Sequence, residues 1–280
     1  FFTIPPIAQA CVIVGLVGWV SIQNGRQVVD RAVNQLHRET ARQINHNIRD
    51  LLTSTQTVNQ LSAAAIQREN IDLETVQSLK SMYWDYLTQF ETIQGLGVGN
   101  ASGDLLGLFK QAGGKEPVYV LEYSTRDNPG QYISITLNAQ REIVDSAEFE
   151  RSVDARERPW YRAAVRAQGP VWTDIYPSVS EVEGHVLAIN LAHPIYSEDD
   201  RLQGVVSVIL GLEQISTFLS TLEVSPLTQI YIVDGSGALV GSSDGKNPVA
   251  LGDSGVRRLA AIDSDTDLIR ESAAHIQEHI

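Results

Sequence analysis

The sequence predicts an α+β fold, in which a long N-terminal helix is followed by two modules built on antiparallel sheets, the second of them incomplete. Two different residue patterns along the 280-residue chain support this prediction. Residues 26–94 contain no proline or glycine, and their apolar side chains recur mostly at helical spacing. From Gly95 onward, short alternating or β-branched runs are separated by turn-forming residues, as in antiparallel hairpins.

The first 25 residues form an apolar segment with no charged side chain before Arg26. Residues 7–22 are almost continuously apolar, with Trp19 near one end. A bilayer span requires about twenty mostly apolar residues, and tryptophan suits the membrane–water interface. No small-residue cleavage site follows the run, so we predict an uncleaved transmembrane helix over 1–25 rather than a signal peptide. Because the sequence starts at Phe1, we expect further residues before it, and flanking charges do not reveal the orientation.

Residues 26–93 are predicted to form a long helical region directly outside the membrane. Its apolar stripe consists of Val29, Val33, Leu36, Ile44, Ile48, Leu51, Val58 and Leu61. A loop at residues 69–72 divides the region, with Asp72 as the cap of a second helix that runs through Phe90. The stripe must be buried, either against the sheets of the same chain or against a second copy. Two interpretations therefore stay open: a signalling helix that supports a homodimer, and an ordinary packing helix.

Residues 94–226 are predicted to form the first sheet module. Its predicted strands are residues 95–99, 105–110, 117–124, 131–138, 172–176, 186–195 and 204–210. Residues 158–167 are predicted as a helix, with Pro159 in its first turn and Gly169–Pro170 stopping it. Residues 212–222 are predicted as a second helix with one apolar face.

Residues 227–280 are predicted to form a second, smaller module. A strand at residues 229–233, a turn at Asp234–Gly237 and a returning strand at residues 238–241 make one hairpin. Residues 256–279 are polar and are predicted to be helical. Two strands and one helix cannot enclose a hydrophobic core, so we expect further strands and a second membrane span beyond this sequence.

Composition narrows the classes of function. A formal net charge of −13 argues against nucleic acid and anionic membrane surfaces as partners, because both are bound through basic faces. The one cysteine, Cys11, excludes an intrachain disulfide and a cysteine zinc cluster. His275 and His279 have metal-like helical spacing, but no carboxylate arrangement marks the pair, and we predict neither a metal site nor a cofactor. Without a His-Glu-x-x-His motif, a phosphate-binding glycine loop or a plausible cysteine nucleophile, we predict no enzyme activity within this region.

A short basic and aromatic motif marks the candidate binding site. Arg158, Trp160 and Tyr161 stand together, and Tyr176 follows fifteen residues after Tyr161. Arginine offers a planar fork that suits a carboxylate, and aromatic rings offer rigid walls with polar edges. Asn190 is a polar residue within an apolar strand and should face a partner. We therefore predict Arg158, Trp160, Tyr161, Tyr176 and Asn190 as ligand-binding residues.

A purely structural role for the same residues stays open. Arg158 has three neighbouring acids with which it could pair: Asp154, Glu157 and Asp174. Trp160 and Tyr161 could simply belong to the core. Three tyrosines lie on strands that could line the same cavity, although alternation alone does not show which faces point inward: Tyr119, Tyr123 and Tyr132. An open cavity beside Arg158 would favour ligand binding, whereas a space filled by the chain's own side chains would favour a structural role.

The order of these elements resembles the double Cache sensor domains of bacterial receptors, in which two PAS-like modules follow one long helix. The sequence pattern is similar to that of cyanobacterial receptors of this class. The resemblance covers nearly the whole chain and is clearest at residues 158–176 (RPWYRAAVRAQGPVWTDIY), 193–208 and 230–243. It implies that residues 94–226 are the membrane-distal module, which usually holds the ligand, and residues 227–280 the membrane-proximal one.

One subgroup of these domains recognises amino acids through an Arg-x-Trp-Tyr helix, a later tyrosine and an aspartate on a following strand. By position, Arg158 and Trp160 match the carboxylate-binding half of that pattern. Tyr161 and Tyr176 match part of the amine-binding half.

This sequence departs from the amino-acid pattern at two positions. The aspartate falls at Ile209, and a tyrosine expected five residues before the arginine falls at Val153. An ammonium group taken out of water needs a charge or several acceptors beside it, and isoleucine offers neither. We therefore predict that the ligand is not a typical α-amino acid. A carboxylate without an amine, or another small polar organic compound, would fit better.

These observations predict the extracytoplasmic sensing region of a transmembrane receptor, anchored in the inner membrane, with residues after about 25 in the periplasm or outside the cell. Binding of a small molecule would shift the packing of the long helix and signal to an output domain outside this sequence. That domain could be a histidine kinase, a nucleotide or diguanylate cyclase, or a chemoreceptor. The alternative is a ligand-free ectodomain that dimerises or binds a protein.

Overall fold

The computed structural model describes residues 6–68, 71, 73–111, 117–180, 184–222, 228–252 and 255–279, without the side chains of 6–30, 32, 177–186 and 251–256. The chain divides into two compact units, residues 1–48 and residues 49–280. The first unit is helical over its described residues. The second contains the described sheets and the candidate site.

The helical region has the predicted division. Helix α1 covers Pro6–Arg68 and confirms the long N-terminal helix. A 3-10 turn at Val76–Leu79 leads into helix α2, Lys80–Gln89. The predicted cap Asp72 lies outside the described residues.

The predicted transmembrane helix falls on the least described part of the chain. Residues 1–5, and the side chains of residues 6–25, lie outside the description. Among the helices in the part that the structure describes, none combines the length and the hydropathy needed to cross a membrane.

An antiparallel sheet forms the body of the second unit. Its strands are β1 Gly95–Asn100, β2 Leu105–Gln111, β3 Val118–Ser124, β4 Gln131–Leu137, β5 Ile143–Glu150, β6 Val171–Trp172, β7 Tyr176–Ser180, β8 Gly184–Tyr196 and β9 Leu202–Gly211. Their order is β5-β4-β3-β2-β1-β9-β8-β6, with β7 also paired to β8. Helices α3, Pro159–Ala167, and α4, Glu213–Thr221, match the two helices predicted here. The α+β fold class is confirmed.

Two features of this sheet differ from the prediction. Strand β5 was not predicted, because its residues are mostly exposed and polar at the edge of the sheet. Residues 172–176 do not form one strand, since β6 ends at Trp172 and β7 begins at Tyr176. Between them, the Thr173 hydroxyl accepts the backbone N–H of Asn190, and a side chain thereby replaces a backbone partner of the ladder.

The main core lies between one face of the sheet and the two helices α1 and α2. Leu96 and Val98 of β1 point into it and meet Val58 of α1 and Tyr83 of α2. The Tyr83 hydroxyl donates a hydrogen bond to the Gly97 carbonyl at 3.1 Å. Because residues of a strand alternate between faces, Gly95, Gly97 and Gly99 of β1 lie on the opposite face.

Helix α1 carries three buried polar side chains, one of which bonds to strand β8. Thr55, Asn59 and Ser62 are fully buried. The Asn59 amide nitrogen donates to the Leu191 carbonyl at 2.9 Å, which directs its amide oxygen toward His193 Nδ1, 3.2 Å away. An amide oxygen only accepts hydrogen bonds, so Nδ1 of His193 carries the proton in the neutral ring.

The half-buried His193 is expected to make folding stability depend on pH. Burial lowers the pKa of His193 from its ordinary value of 6.5, because the charged ring is poorly solvated. The stabilisation that the neutral His193 ring gives the folded state is therefore complete at pH values above 6.5. It is lost as the pH falls below that value, because the unfolded chain binds the proton first. Thermal unfolding between about pH 8 and pH 5 should show a smaller decline for His193→Gln than for the parent chain. Parallel declines would contradict this role.

The C-terminal residues form two hairpins and a helix. These are β10 Tyr231–Val233 with β11 Leu239–Ser242, β12 Val249–Gly252 with β13 Gly255–Arg258, and helix α5 Asp267–His279. The helix predicted over 256–279 was therefore wrong at its start, because residues 256–258 pair with β12. A small core joins β11 to α5 and consists of Leu239, Ala261, Ile269 and Ala273.

Candidate functional site

A cavity of about 530 Å³ lies on the glycine face of the nine-stranded sheet. Its floor comes from β1 and from the strands on both sides of it. Residues 151–160 lie over the cavity and are called the covering segment. Four of the five predicted site residues line it: Arg158, Trp160, Tyr176 and Asn190. Among the described residues, no side chain fills the space beside Arg158, and such an open space favours ligand binding.

The glycines of β1 create the depth of this cavity. Among the described residues, a Cβ atom at Gly97 would approach only the Leu106 carbonyl oxygen, at 3.8 Å, so none of them fills the space above Gly97. At Gly99 a Cβ would come within 2.4 Å of the Ala155 Cβ, so the covering segment rests directly on that glycine. At Gly95 it would meet the Phe109 ring at 2.7 Å. One glycine therefore opens the cavity, and the other two permit close packing at its ends.

Arg158 supplies a cation to the cavity wall without a counter-ion from the described residues. It precedes α3 in extended conformation, with Pro159 opening the helix. Within the part of the chain that the structure describes, its guanidinium forms no ion pair and no hydrogen bond. The neighbouring Asp154 instead pairs with Arg156, with 2.5 Å between Oδ2 and Nη2. The predicted alternative, in which a nearby acid neutralises Arg158, is therefore absent from the described residues.

Tyr176 and Asn190 form a connected polar wall. The Tyr176 hydroxyl donates to the Asn190 side-chain oxygen at 2.8 Å, and the Asn190 amide nitrogen donates to the Ser207 hydroxyl at 2.8 Å. Asn190 is only 1% exposed, so these bonds fix its amide. Burial raises the pKa of Tyr176 to about 12, although the positive charge of Arg158 opposes that rise. Tyr176 therefore stays protonated and can donate or accept a hydrogen bond.

Trp160 and Tyr161 have different positions. Trp160 lines the cavity and also packs in the core beneath the covering segment. Tyr161 lies in that core, with its hydroxyl 3.4 Å from the Asn100 carbonyl, and is not among the residues that line the cavity. Tyr161 is therefore not placed where it would contact a ligand in the cavity.

Sequence reasoning missed Glu122, a carboxylate in the cavity wall. Glu122 is 7% exposed and accepts a hydrogen bond of 2.5 Å from the Tyr132 hydroxyl. Of the three tyrosines considered for the cavity, only Tyr132 lines it, whereas Tyr119 and Tyr123 pack in the core on the other face. The sequence signal for Glu122 is that it is the one charged residue in strand β3. Because residues of a strand alternate between faces, Glu122 and Leu121 point to opposite faces of the sheet.

Ile209 and Val153 both line the cavity, at the two positions where the sequence departs from the amino-acid pattern. They give the wall apolar surface where that pattern has an aspartate and a tyrosine. The predicted departures therefore lie inside the candidate site.

Two further sequence patterns lie outside the cavity. His275 and His279 lie 4.2 Å apart by ring centroid on α5, and the described residues contain no group of three potential metal ligands. Gly241–Gly245 spells the nucleophile pattern Gly-x-Ser-x-Gly. Its Ser243 hydroxyl, however, is bonded to Gln229 at 3.1 Å and to the Ile230 N–H at 3.0 Å, so it braces a hairpin.

Comparison with known families identifies the part of the chain that carries the cavity. Residues 115–217 match the family described as methyl-accepting chemotaxis protein-like, first PDC sensor domain. This match supports the resemblance to Cache sensor domains for this part of the chain. The matched residues include Arg158, Trp160, Tyr176 and Asn190.

Solved structures of chemoreceptors show low sequence identity to this chain. Methyl-accepting Chemotaxis protein X is 14% identical, with 85% of this chain and 80% of that chain covered and a TM-score of 0.45. The ligand-binding domain of the Campylobacter jejuni chemoreceptor Tlp3, in complex with L-norvaline, is 13% identical, with coverage of 75% and 72% and a TM-score of 0.37. That of the Pseudomonas aeruginosa amino acid chemoreceptor PctB, in complex with L-Arg, is 19% identical, with coverage of 70% and 69% and a TM-score of 0.31. No curated protein matches the chain significantly.

Proposed function

We propose that this chain is the ligand-sensing region of a transmembrane signalling receptor, and that its PDC domain binds a small polar organic compound bearing a carboxylate. The observation that carries the proposal is Arg158, which lines a cavity of about 530 Å³ and pairs with no carboxylate of the described residues. A guanidinium placed in this way suits both oxygens of a carboxylate. Trp160 offers an apolar wall, and Tyr176 offers a hydroxyl.

Strand β8 connects the cavity with helix α1. Asn190 faces the cavity, while the carbonyl of the next residue, Leu191, accepts a hydrogen bond from Asn59 of α1. A ligand that changes the position of Asn190 or Tyr176 would therefore act on a strand that also holds the helix. Signalling would follow if the ligand binds one packing of α1 more tightly than another.

The rest of the proposed receptor lies beyond the PDC domain. The N-terminal helix would anchor the chain in the inner membrane, and the output would be a histidine kinase, a nucleotide or diguanylate cyclase, or a chemoreceptor. Val33 and Leu36 of α1 are 43% and 52% exposed, which supports a homodimer through this helix. The same exposed stripe favours the alternative of a ligand-free dimerisation or protein-interaction ectodomain. The open cavity beside Arg158 supports sensing over that alternative.

Thermal unfolding of the purified 280-residue chain tests the proposal. The compounds would be carboxylic acids, amino acids, purines and polyamines. A ligand at a hundredfold excess over its Kd stabilises the folded state by about 2.7 kcal/mol. We expect this stabilisation only from compounds with a carboxylate. Stabilisation by purines or polyamines would contradict the role of Arg158, and the lack of any stabilisation would favour the ligand-free ectodomain.

A further inference from the structure

Gly97 lies at the bottom of a pit in the cavity face of the sheet. Four residues on this face surround it, two in the same strand and one in each adjacent strand: Gly95, Gly99, Gly107 and Ser207. Directly paired residues, and residues two apart on a strand, point to the same face of a sheet. Among the described residues, a Cβ atom at Gly97 would have only a backbone oxygen within 4 Å. The shape of the pit is therefore set by the groups that lie over these four neighbours.

Aromatic rings lie over three of the neighbours. The Phe109 ring is 2.7 Å from the position that a Cβ would take at Gly95 and also 2.7 Å from that at Gly107. The Trp160 ring is 3.2 Å from the corresponding position at Gly99. Residues two apart on a strand are separated by about 6.8 Å, and aromatic rings attract each other when their centres are about 4.5–7 Å apart. A ring held in the pit would therefore have Phe109 on one side and Trp160 on the other.

Ser207 gives the fourth side of the pit a hydrogen-bond donor. It is 1% exposed, and its hydroxyl oxygen accepts a bond of 2.8 Å from the Asn190 amide nitrogen. The Asn190 side-chain oxygen accepts the Tyr176 hydroxyl at 2.8 Å, so this chain of bonds ends at the Ser207 O–H. Among the described residues, no acceptor takes that proton. Because a buried hydroxyl is costly to leave without an acceptor, the pit favours a ligand that offers an oxygen at this side.

Arg158 supplies the anion-binding group of the same cavity. It immediately precedes α3, and Trp160 lies in the first turn of that helix, so both belong to the covering segment. Burial raises the pKa of Tyr176, and the positive charge of Arg158 opposes that rise, which places the guanidinium within electrostatic reach of the polar wall. A carboxylate bound by Arg158 would therefore lie close to the pit.

We infer that the preferred ligand is a monocyclic aromatic carboxylate with an oxygen substituent on its ring, of which the hydroxybenzoates are the simplest. The ring would occupy the pit above Gly97, the carboxylate would bind Arg158, and the ring oxygen would accept the Ser207 hydroxyl. This inference rests on the proposed function and adds the shape of the ligand. A saturated carboxylate of the same size would lack the ring contacts with Phe109 and Trp160.

Isothermal titration calorimetry on the purified 280-residue chain can measure each part of this preference. The probes are the three hydroxybenzoates, benzoate, cyclohexanecarboxylate, heptanoate and phenol. The last two carboxylates are saturated but have the same charge and the same number of carbons as benzoate. We expect benzoate to bind about tenfold more tightly than cyclohexanecarboxylate, as two aromatic pairs allow. At least one hydroxybenzoate should bind about threefold or more tightly than benzoate, and phenol should bind much more weakly than benzoate.

The variant Phe109→Leu tests the ring contact. Leucine keeps an apolar side chain but has no ring, so we expect the preference for benzoate over cyclohexanecarboxylate to fall by about threefold or more. Phe218→Leu is the matched control, because Phe218 is half-buried like Phe109 but lies on α4 and does not line the cavity. It should keep the full preference. A melting temperature measured for each variant shows whether it is folded.

The variant Ser207→Ala tests the contact with the ring oxygen. Alanine removes the donor, so we expect the advantage of the hydroxybenzoates over benzoate to disappear. Ser134→Ala is the control, because Ser134 is also buried in the sheet but does not line the cavity, and it should keep the advantage. The two affinities are compared within each folded variant, so a change that affects both ligands equally cancels.

The outcomes distinguish this inference from the proposed function. If the saturated carboxylates bind as tightly as the aromatic ones, or if the ring oxygen adds nothing, the inference is wrong and the proposed function stands. A folded Phe109→Leu that keeps the full aromatic preference, or a folded Ser207→Ala that keeps the advantage of the hydroxybenzoates, would also overturn it. If phenol binds as tightly as the hydroxybenzoates, or if no carboxylate binds, both are wrong.

Discussion

Replacing Arg158 by alanine is expected to weaken carboxylate binding by about 10- to 100-fold, since hydrogen bonds to a charged group contribute about 1.5–3 kcal/mol. The free energy of unfolding should change little, because Arg158 has no ion pair or hydrogen bond to lose among the described residues. Calorimetry would measure the affinity, and thermal unfolding without ligand would measure the stability.

Arg162 provides the matched control for Arg158. It lies on the exposed side of the same helix, α3, and does not line the cavity. Arg162→Ala should leave both affinity and stability unchanged. Arg158→Lys retains the charge without the planar fork and should fall between the parent and Arg158→Ala in affinity. If Arg158→Ala lowers the melting temperature and leaves the affinity intact, the arginine has a structural role.

The fold could be predicted where local signals were strong. The glycine- and proline-free helix and the alternating strands were found because their periods are 3.6 and 2. Strand β5 was missed because an exposed edge strand lacks an apolar face. The hairpin of β12 and β13 was missed in the same way, since residues 256–258 belong to a polar segment that the sequence places in a helix.

The candidate site was only partly predictable from the sequence. Arg158 and Trp160 stand in one short motif, and Tyr176 and Asn190 are brought to it by the pairing of β7 with β8. Glu122 was missed because alternation predicts two faces for a strand but not which face the helices cover. That choice is made by the packing of α1 and α2, a contact between residues far apart in the chain.

The alternating glycines of β1 indicate a strand, but the sequence alone does not predict that they form the floor of a cavity. Gly95-Leu96-Gly97-Val98-Gly99 alternates small and apolar residues with the period of a strand. Its apolar residues enter the core with the helices, which leaves three positions without side chains on the other face. A cavity needs such positions, because a β-branched residue at the centre of the sheet would fill the space above it.

Gly97→Val is therefore expected to remove ligand binding while the chain stays folded. Among the residues that the structure describes, the added Cβ has only the Leu106 carbonyl oxygen within 4 Å, at 3.8 Å, so the methyl groups extend into the cavity. Valine also suits a strand. We expect a loss of affinity of about 100-fold or more, because the side chain would occupy the volume that the ligand needs. Calorimetry and thermal unfolding measure the two effects separately.

Gly99→Val is the control two residues along the same face, and the opposite pattern is expected for it. Its Cβ would lie 2.4 Å from the Ala155 Cβ and 3.2 Å from the Trp160 ring, so the covering segment would have to move. Overpacking of this kind costs about 1–3 kcal/mol, which should appear as a lower melting temperature without ligand. If Gly97→Val binds ligand as tightly as the parent, the ligand does not occupy the glycine floor. If Gly97→Val unfolds as readily as Gly99→Val, the space above Gly97 is not free.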